Sequence, residues 1–162
     1  MLNLKVETYL KLIFIISLVS IISAYLIEYI LGHQPCNLCL IARIPYVLSI
    51  ILIIGDYILR NNEKIIILLL ILTFIFSFLI STYHFGIEQG FFEESAICGL
   101  KNAADIINKE ELLKILNVKT VSCKDVTFRV FGLSLTSINI IISLIIIIIL
   151  TRIYKTYEKI KS

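Results

Sequence analysis

Four long apolar runs constrain this chain more than any other feature of its sequence. A helix needs about 20 apolar residues to cross the hydrocarbon core of a bilayer. Residues 12–31, 40–59, 65–83 and 131–150 each meet that length. The third and fourth runs carry no charge, the first is interrupted only by Glu28, and the second holds Arg43 and Asp56. Strands do not suit these runs: they lack the alternation of a barrel, and an open sheet would leave peptide groups unpaired in lipid. Composition agrees, since 59% of the 162 residues are hydrophobic and only 17% charged, too few to coat a soluble domain. The expectation is an all-α integral membrane protein, a four-helix transmembrane bundle forming a single membrane domain over residues 1–162.

Lys5 and Lys11 precede the first run, as in a signal peptide. The run is longer than a signal-peptide core and has no convincing small-residue cleavage site, so it reads as a retained helix. A net charge of +3 gives no sign of a nucleic-acid partner. Orientation follows from the basic residues. Lys5 and Lys11, Arg60 and Lys64 in the hairpin RNNEK, and Arg152, Lys155, Lys159 and Lys161 in the tail must share one side of a four-span protein. The positive-inside rule places them in the cytoplasm, and loops 32–39 and 84–130 outside it. The longer loop also carries Lys and Arg, but long loops cross membranes largely regardless of charge. Within it, Ile106, Ile107, Leu113 and Leu116 can share one helical face over 103–116, to pack on the protein or lie on the membrane.

All four cysteines, Cys36, Cys39, Cys98 and Cys123, fall in these two outer loops, the side on which disulfides persist. Cys36-Asn-Leu-Cys39 has the spacing of a dithiol redox site, although zinc sites use it too. Cys39 stands at the start of the second helix, where the positive helix end favours a thiolate. Arg43 follows four residues later and would favour it further. Pro45 either opens that helix near Ile44 or kinks one that began earlier. Cys98 and Cys123, 25 positions apart, read as a structural staple or as an exchanging pair.

His84 and Glu88, in YHFGIEQG at the exit of the third helix, are spaced to share a face. They form either an interfacial polar cluster or a polar rim for a ligand held against the bundle. Glu28 and Asp56 lie near helix ends and read as snorkelling side chains, and His33 as a solvated loop residue.

PCNLCLIAR after the first helix, YHFGIEQG after the third and a Cys98/Cys123 pair before the fourth resemble the DsbB family of disulfide-bond formation proteins, which includes the DsbI proteins. The order of these elements covers nearly the whole chain. The resemblance implies a protein-dithiol:quinone oxidoreductase of the bacterial inner membrane, with cytoplasmic termini and periplasmic cysteine loops. Cys98 and Cys123 would oxidise a periplasmic thioredoxin-fold partner of the DsbA type, with Cys98 forming the mixed disulfide. Cys36 and Cys39 would reduce a membrane quinone, ubiquinone or menaquinone, with Cys39 nearest the ring. Arg43 and His84 match quinone-site residues. Glu88 stands where some members have glutamine, and Ala42 where many have glutamine.

Other readings predict other things. A vitamin K epoxide reductase-like protein places its loop cysteines before the CxxC, the reverse of the order here. A non-enzymatic scaffold would keep all four cysteines oxidised whether or not quinone is available. No metal site is expected, because a four-cysteine zinc site competes with an oxidising compartment and the spans lack the Met, His and Cys ligands of a metal-handling protein. The orientation is tested by labelling reduced Cys98 and Cys123 in intact cells with a membrane-impermeant thiol reagent. Labelling before permeabilisation is expected, and labelling only afterwards would reverse the orientation.

Overall fold

The structure, a computed structural model, describes residues 2–59, 63–93, 123–124, 129–130 and 132–161. Its elements are α1 (Leu2–Tyr29), α2 (Asn37–Ile41), α3 (Ile44–Leu59), α4 (Glu63–Glu88), β1 (Arg129–Val130), β2 (Leu133–Ser134) and α5 (Leu135–Lys161). Among the described residues, four stretches are long and apolar enough to cross a membrane: Val6–Tyr29, Asn37–Ile58, Glu63–Glu88 and Leu135–Tyr157. The chain is a mostly helical membrane protein built as a four-helix bundle. Ile15, Val19, Leu72, Phe76, Leu79 and Ile145 are exposed on its outside, as lipid-facing positions should be.

Helix ends differ from the sequence expectation in ways that matter for function. The third span runs on past Tyr83 to Glu88, so His84 and Glu88 belong to the helix rather than to the loop after it. Gly90, with φ of 78°, reverses the chain there, and the Phe91 and Phe92 N–H groups turn back onto the Gly86 carbonyl. The fourth span begins at Leu135 rather than Phe131. A tight antiparallel hairpin precedes it, pairing Arg129 with Ser134 and Val130 with Leu133 around Gly132, whose φ is 83°. Residues 103–116 lie outside the described residues, as does Cys98.

The second span is interrupted. Gly32, with φ of 71°, ends the turn after α1, and the Leu26 and Ile27 carbonyls are capped by the N–H groups of Ile30, Leu31 and His33. Pro35 and extended Cys36 then lead into α2. Pro45 has no N–H to offer the carbonyl one turn earlier, so α2 stops at Ile41 and α3 restarts at Ile44, with Ala42 and Arg43 in the break. Pro45 therefore opens one helix while the chain before it is already helical.

The core holds Ile13, Ile67, Leu70, Phe74, Ile146 and Leu150, with Tyr46 edge-on to Phe74 at 5.8 Å between ring centroids. Small hydroxyl residues let the helices approach and bind across the seams. Ser17 meets Ser49 at 2.8 Å between α1 and α3, and Ser143 donates to Ser77 at 3.1 Å between α5 and α4. Asn139 of α5 donates to Ser81 at 2.6 Å and accepts from the Tyr46 hydroxyl, joining three helices. Such bonds contribute about 0.6 kcal/mol each in lipid, so close packing is their main role. Ser143 is fully buried. Ser143→Leu should overfill the α4–α5 seam and destabilise the protein by roughly 1–3 kcal/mol, read as a lower melting temperature in detergent. Leu144→Ile, on the exposed side, should leave the melting temperature unchanged.

Candidate functional site

The interruption in the second span and the last turn of α4 meet around a dithiol. Cys36 is the N-cap of α2, and its sulfur accepts a hydrogen bond from the Cys39 N–H at 3.4 Å. Cys36 Sγ lies 2.9 Å from Cys39 Sγ, and both cysteines are free. On the other side, His84 Nε2 stands 3.6 Å from Cys36 Sγ. Both Cys36 and His84 are buried, at 6% and 4% exposure.

Burial opposes ionisation of Cys36, but the hydrogen bond from the Cys39 thiol outweighs it and His84 adds to it. The Cys36 thiol is therefore held well below its ordinary pKa. The sequence expectation placed the favoured thiolate on Cys39. The cap geometry reverses that order, since the sulfur facing the helix N–H and the histidine is that of Cys36.

Glu88 lies one turn beyond His84, with Oε1 3.8 Å from Nε2. Thr136 at the start of α5 donates to the same oxygen, while Oε2 is buried without a hydrogen-bond partner. The His84 ring also hydrogen-bonds the backbone of Cys123. Cys123 is disulfide-bonded and buried, and it packs in one cluster with Cys36, Leu38 and Ile87. The fold thus brings a bonded cysteine from the long loop against the free pair.

Arg43 does not serve Cys39 in the manner its spacing suggested. Its side chain turns from the break toward α1, where it pairs with Glu28 at 2.6 Å and lies over the Tyr25 ring at 5.1 Å. Both members of the pair are largely buried. Glu28 is therefore a counter-ion, not a snorkelling residue. On the opposite side of the bundle Asp56 keeps a buried, unpartnered Oδ1, which simple snorkelling does not explain either.

A cavity of about 400 Å³ joins these groups. Cys36, Cys39, Arg43, His84, Glu88 and Cys123 all line it, so every described residue expected at the site is present in one place. His33 lines it too, from the loop before α2, where it is partly exposed. Ile27 of α1 and Ile138 and Ile142 of α5 form apolar walls, and Val19, more than half exposed, brings the opening to the lipid-facing surface. An apolar chamber of this size with a few converging polar groups suits a flat organic ligand. Glu28, Thr136 and Asn139 were missed. Their signal was polarity within apolar runs, which marks function more often than chance.

These features define a multi-pass membrane protein with a buried CxxC pair beside a largely apolar chamber. The family model described as disulfide bond formation protein DsbB matches residues 7–153. A relative from Rickettsia prowazekii (strain Madrid E), described as the uncharacterized protein RP370, is 31% identical over 142 residues, 83% of this chain and 80% of its own length. No solved structure gives a significant match. The chain belongs to the DsbB family of disulfide bond formation proteins, membrane proteins whose work is disulfide formation.

The lowered pKa of Cys36 has a direct reading. A group with a lowered pKa stays ionised as pH falls below neutrality, so iodoacetamide should still alkylate Cys36 of the reduced protein near about pH 6, where an ordinary thiol is almost wholly protonated. His84→Ala should move that profile to higher pH. Peptide mass spectrometry across a pH series would measure both, and an ordinary thiol profile at Cys36 would refute the assignment.

Proposed function

We propose that this protein reoxidises a DsbA-like periplasmic dithiol oxidase and passes the electrons through two cysteine pairs to a membrane quinone. The observation that carries the reading is the buried contact cluster of disulfide-bonded Cys123 with free Cys36, beside the cavity that holds Arg43, His84 and Glu88.

The exchanges balance as follows. A partner thiolate attacks Cys98 of a Cys98–Cys123 disulfide, releasing Cys123 as a thiolate. The partner's second thiol resolves the mixed disulfide, leaving the partner oxidised and the loop pair reduced. Cys123 then attacks Cys36 of an oxidised Cys36–Cys39 pair and releases Cys39. Cys98 closes on Cys123 again, freeing Cys36. Each step needs a thiolate nucleophile and a stable leaving thiolate, and the groups around Cys36 favour it as the leaving sulfur.

The chamber fits a quinone headgroup by its size, its apolar walls and the polar side chains of Arg43, His84 and Glu88 that line it. Bound there, a quinone supplies an acceptor of two electrons and two protons. Closing the Cys36–Cys39 bond releases that number of each. Arg43 offers positive charge to oxygen that gains electrons, while Glu28 and Tyr25 hold its side chain at the cavity. His84 and Glu88 can hold and pass protons on the sulfur side. The basic termini and RNNEK support cytoplasmic ends in a bacterial inner membrane, with the cysteine loops in the periplasm.

Arg43→Ala should lower quinone-dependent turnover by roughly ten- to a hundredfold while sparing exchange between the loop pair and the partner. Lys at this position should be milder, because it keeps the charge and loses the planar fork. Unchanged turnover and quinone affinity in Arg43→Ala would remove Arg43 from the site.

The relay is tested by separating the two pairs. With Cys39→Ser, the loop disulfide should oxidise partner once and then stop, accumulating reduced loop thiols. With Cys98→Ser, quinone should still bind but no loop mixed disulfide should form. A single-turnover assay with excess partner measures both. Sustained quinone-dependent turnover by Cys39→Ser, or normal trapping of partner by Cys98→Ser, would reverse the assigned electron flow.

A further inference from the structure

Sequence spacing gives no sign of a metal site that includes His84, which is 48 positions from Cys36. The fold removes that distance. Cys36 Sγ, Cys39 Sγ and a ring nitrogen of His84 all lie within 4.8 Å of one another. They come from the α2 cap, the first turn of α2 and the last turn of α4, so two separate spans hold the set together.

The separations can be compared with those a tetrahedral ion requires. Bonds of about 2.3 Å to sulfur and about 2.0 Å to nitrogen place a sulfur and a nitrogen roughly 3.5 Å apart, and two sulfurs roughly 3.8 Å apart. Cys36 Sγ and His84 Nε2 are already at 3.6 Å. The two sulfurs, at 2.9 Å, must open by about 0.9 Å to reach that spacing, a rotation within reach of the Cys39 side chain. A histidine ligand also needs its ring held by a further partner, and the backbone of Cys123 provides one. Two thiolates and a neutral imidazole balance a divalent ion's charge, which favours binding in an apolar surrounding. The cavity borders all three ligands, and Glu88 lines the same space.

We propose that the reduced Cys36–Cys39 pair and His84 form a three-ligand site for one thiophilic divalent cation of the zinc type. Occupancy holds both sulfurs as metal ligands, so the pair cannot close into a disulfide and Cys36 is shielded from exchange with Cys123. The cation thus captures the reduced state and is excluded from the oxidised one. Binding stands independently of the proposed electron relay, whereas its inhibitory consequence rests on that reading.

The test uses purified full-length protein in detergent with Cys36 and Cys39 reduced, and neither quinone nor partner, so failure of the relay cannot affect it. Titration with Co²⁺ should give one ion per chain, a thiolate-to-cobalt charge-transfer band and the visible bands of a tetrahedral ion, all abolished by Zn²⁺. Protein with an oxidised Cys36–Cys39 pair should give none of these. His84→Ala should weaken binding at least tenfold, and His84→Cys, which restores a third ligand, should recover most of the loss. X-ray absorption of the zinc-loaded wild-type protein should show two sulfurs and a histidine nitrogen, a readout that needs no variant to fold. Equal affinity in well-folded His84→Ala, binding by the oxidised pair, or a shell of four sulfurs would overturn the proposal.

Discussion

A hydrocarbon environment offers no partner to a peptide group, and each N–H or C=O left unpaired there costs several kcal/mol. That constraint makes the four apolar runs helical and leaves few places where the backbone can depart from helix. The departure between α2 and α3 is therefore informative. Pro45 withholds one donor, Ala42 and Arg43 occupy the break, and the helix resumes at Ile44. The short α2 that results is capped by Cys36 itself. One missing N–H thus sets both the dithiol and the arginine at the same chamber, facing different partners.

Charge follows a similar logic. Arg43 and Glu28 would each be costly alone in such a position, and each is held by the other, with Tyr25 beneath the guanidinium. His84 and Glu88 are buried one turn apart on α4, tied to Cys36, to the Cys123 backbone and to Thr136. The site is a polar interior surrounded by apolar helices. Among its described, fully buried side-chain atoms, Glu88 Oε2 is left without a hydrogen-bond partner.

The spans were legible because hydropathy over some twenty residues is a local property. The ends were not. Nothing in YHFGIEQG marks Glu88, rather than Tyr83, as the last helical residue, since the turn depends on Gly90 and on Phe91 and Phe92 folding back over Gly86. Phe131 reads as part of the fourth apolar run, yet the hairpin around Gly132 delays the helix to Leu135. At the site, residue types were readable and partners were not. Arg43 is spaced to meet Cys39 along a continuous helix, but the break redirects it to Glu28, 15 positions earlier. Cys39 was the expected thiolate because it was taken as the helix start, whereas the cap falls on Cys36. The meeting of Cys36 with His84 and Cys123 is a tertiary event that no local pattern encodes.

The chamber's opening at Val19, on the face turned to the acyl chains, changes what concentration means for anything that binds there. A molecule arriving by that route is drawn from a two-dimensional pool, already oriented and already dehydrated. Its supply is set by its mole ratio to lipid and by lateral diffusion. Diluting the suspension leaves occupancy as it was, and adding empty vesicles that exchange lipid with the membrane lowers it. A soluble ligand entering from the aqueous side would behave in the opposite way.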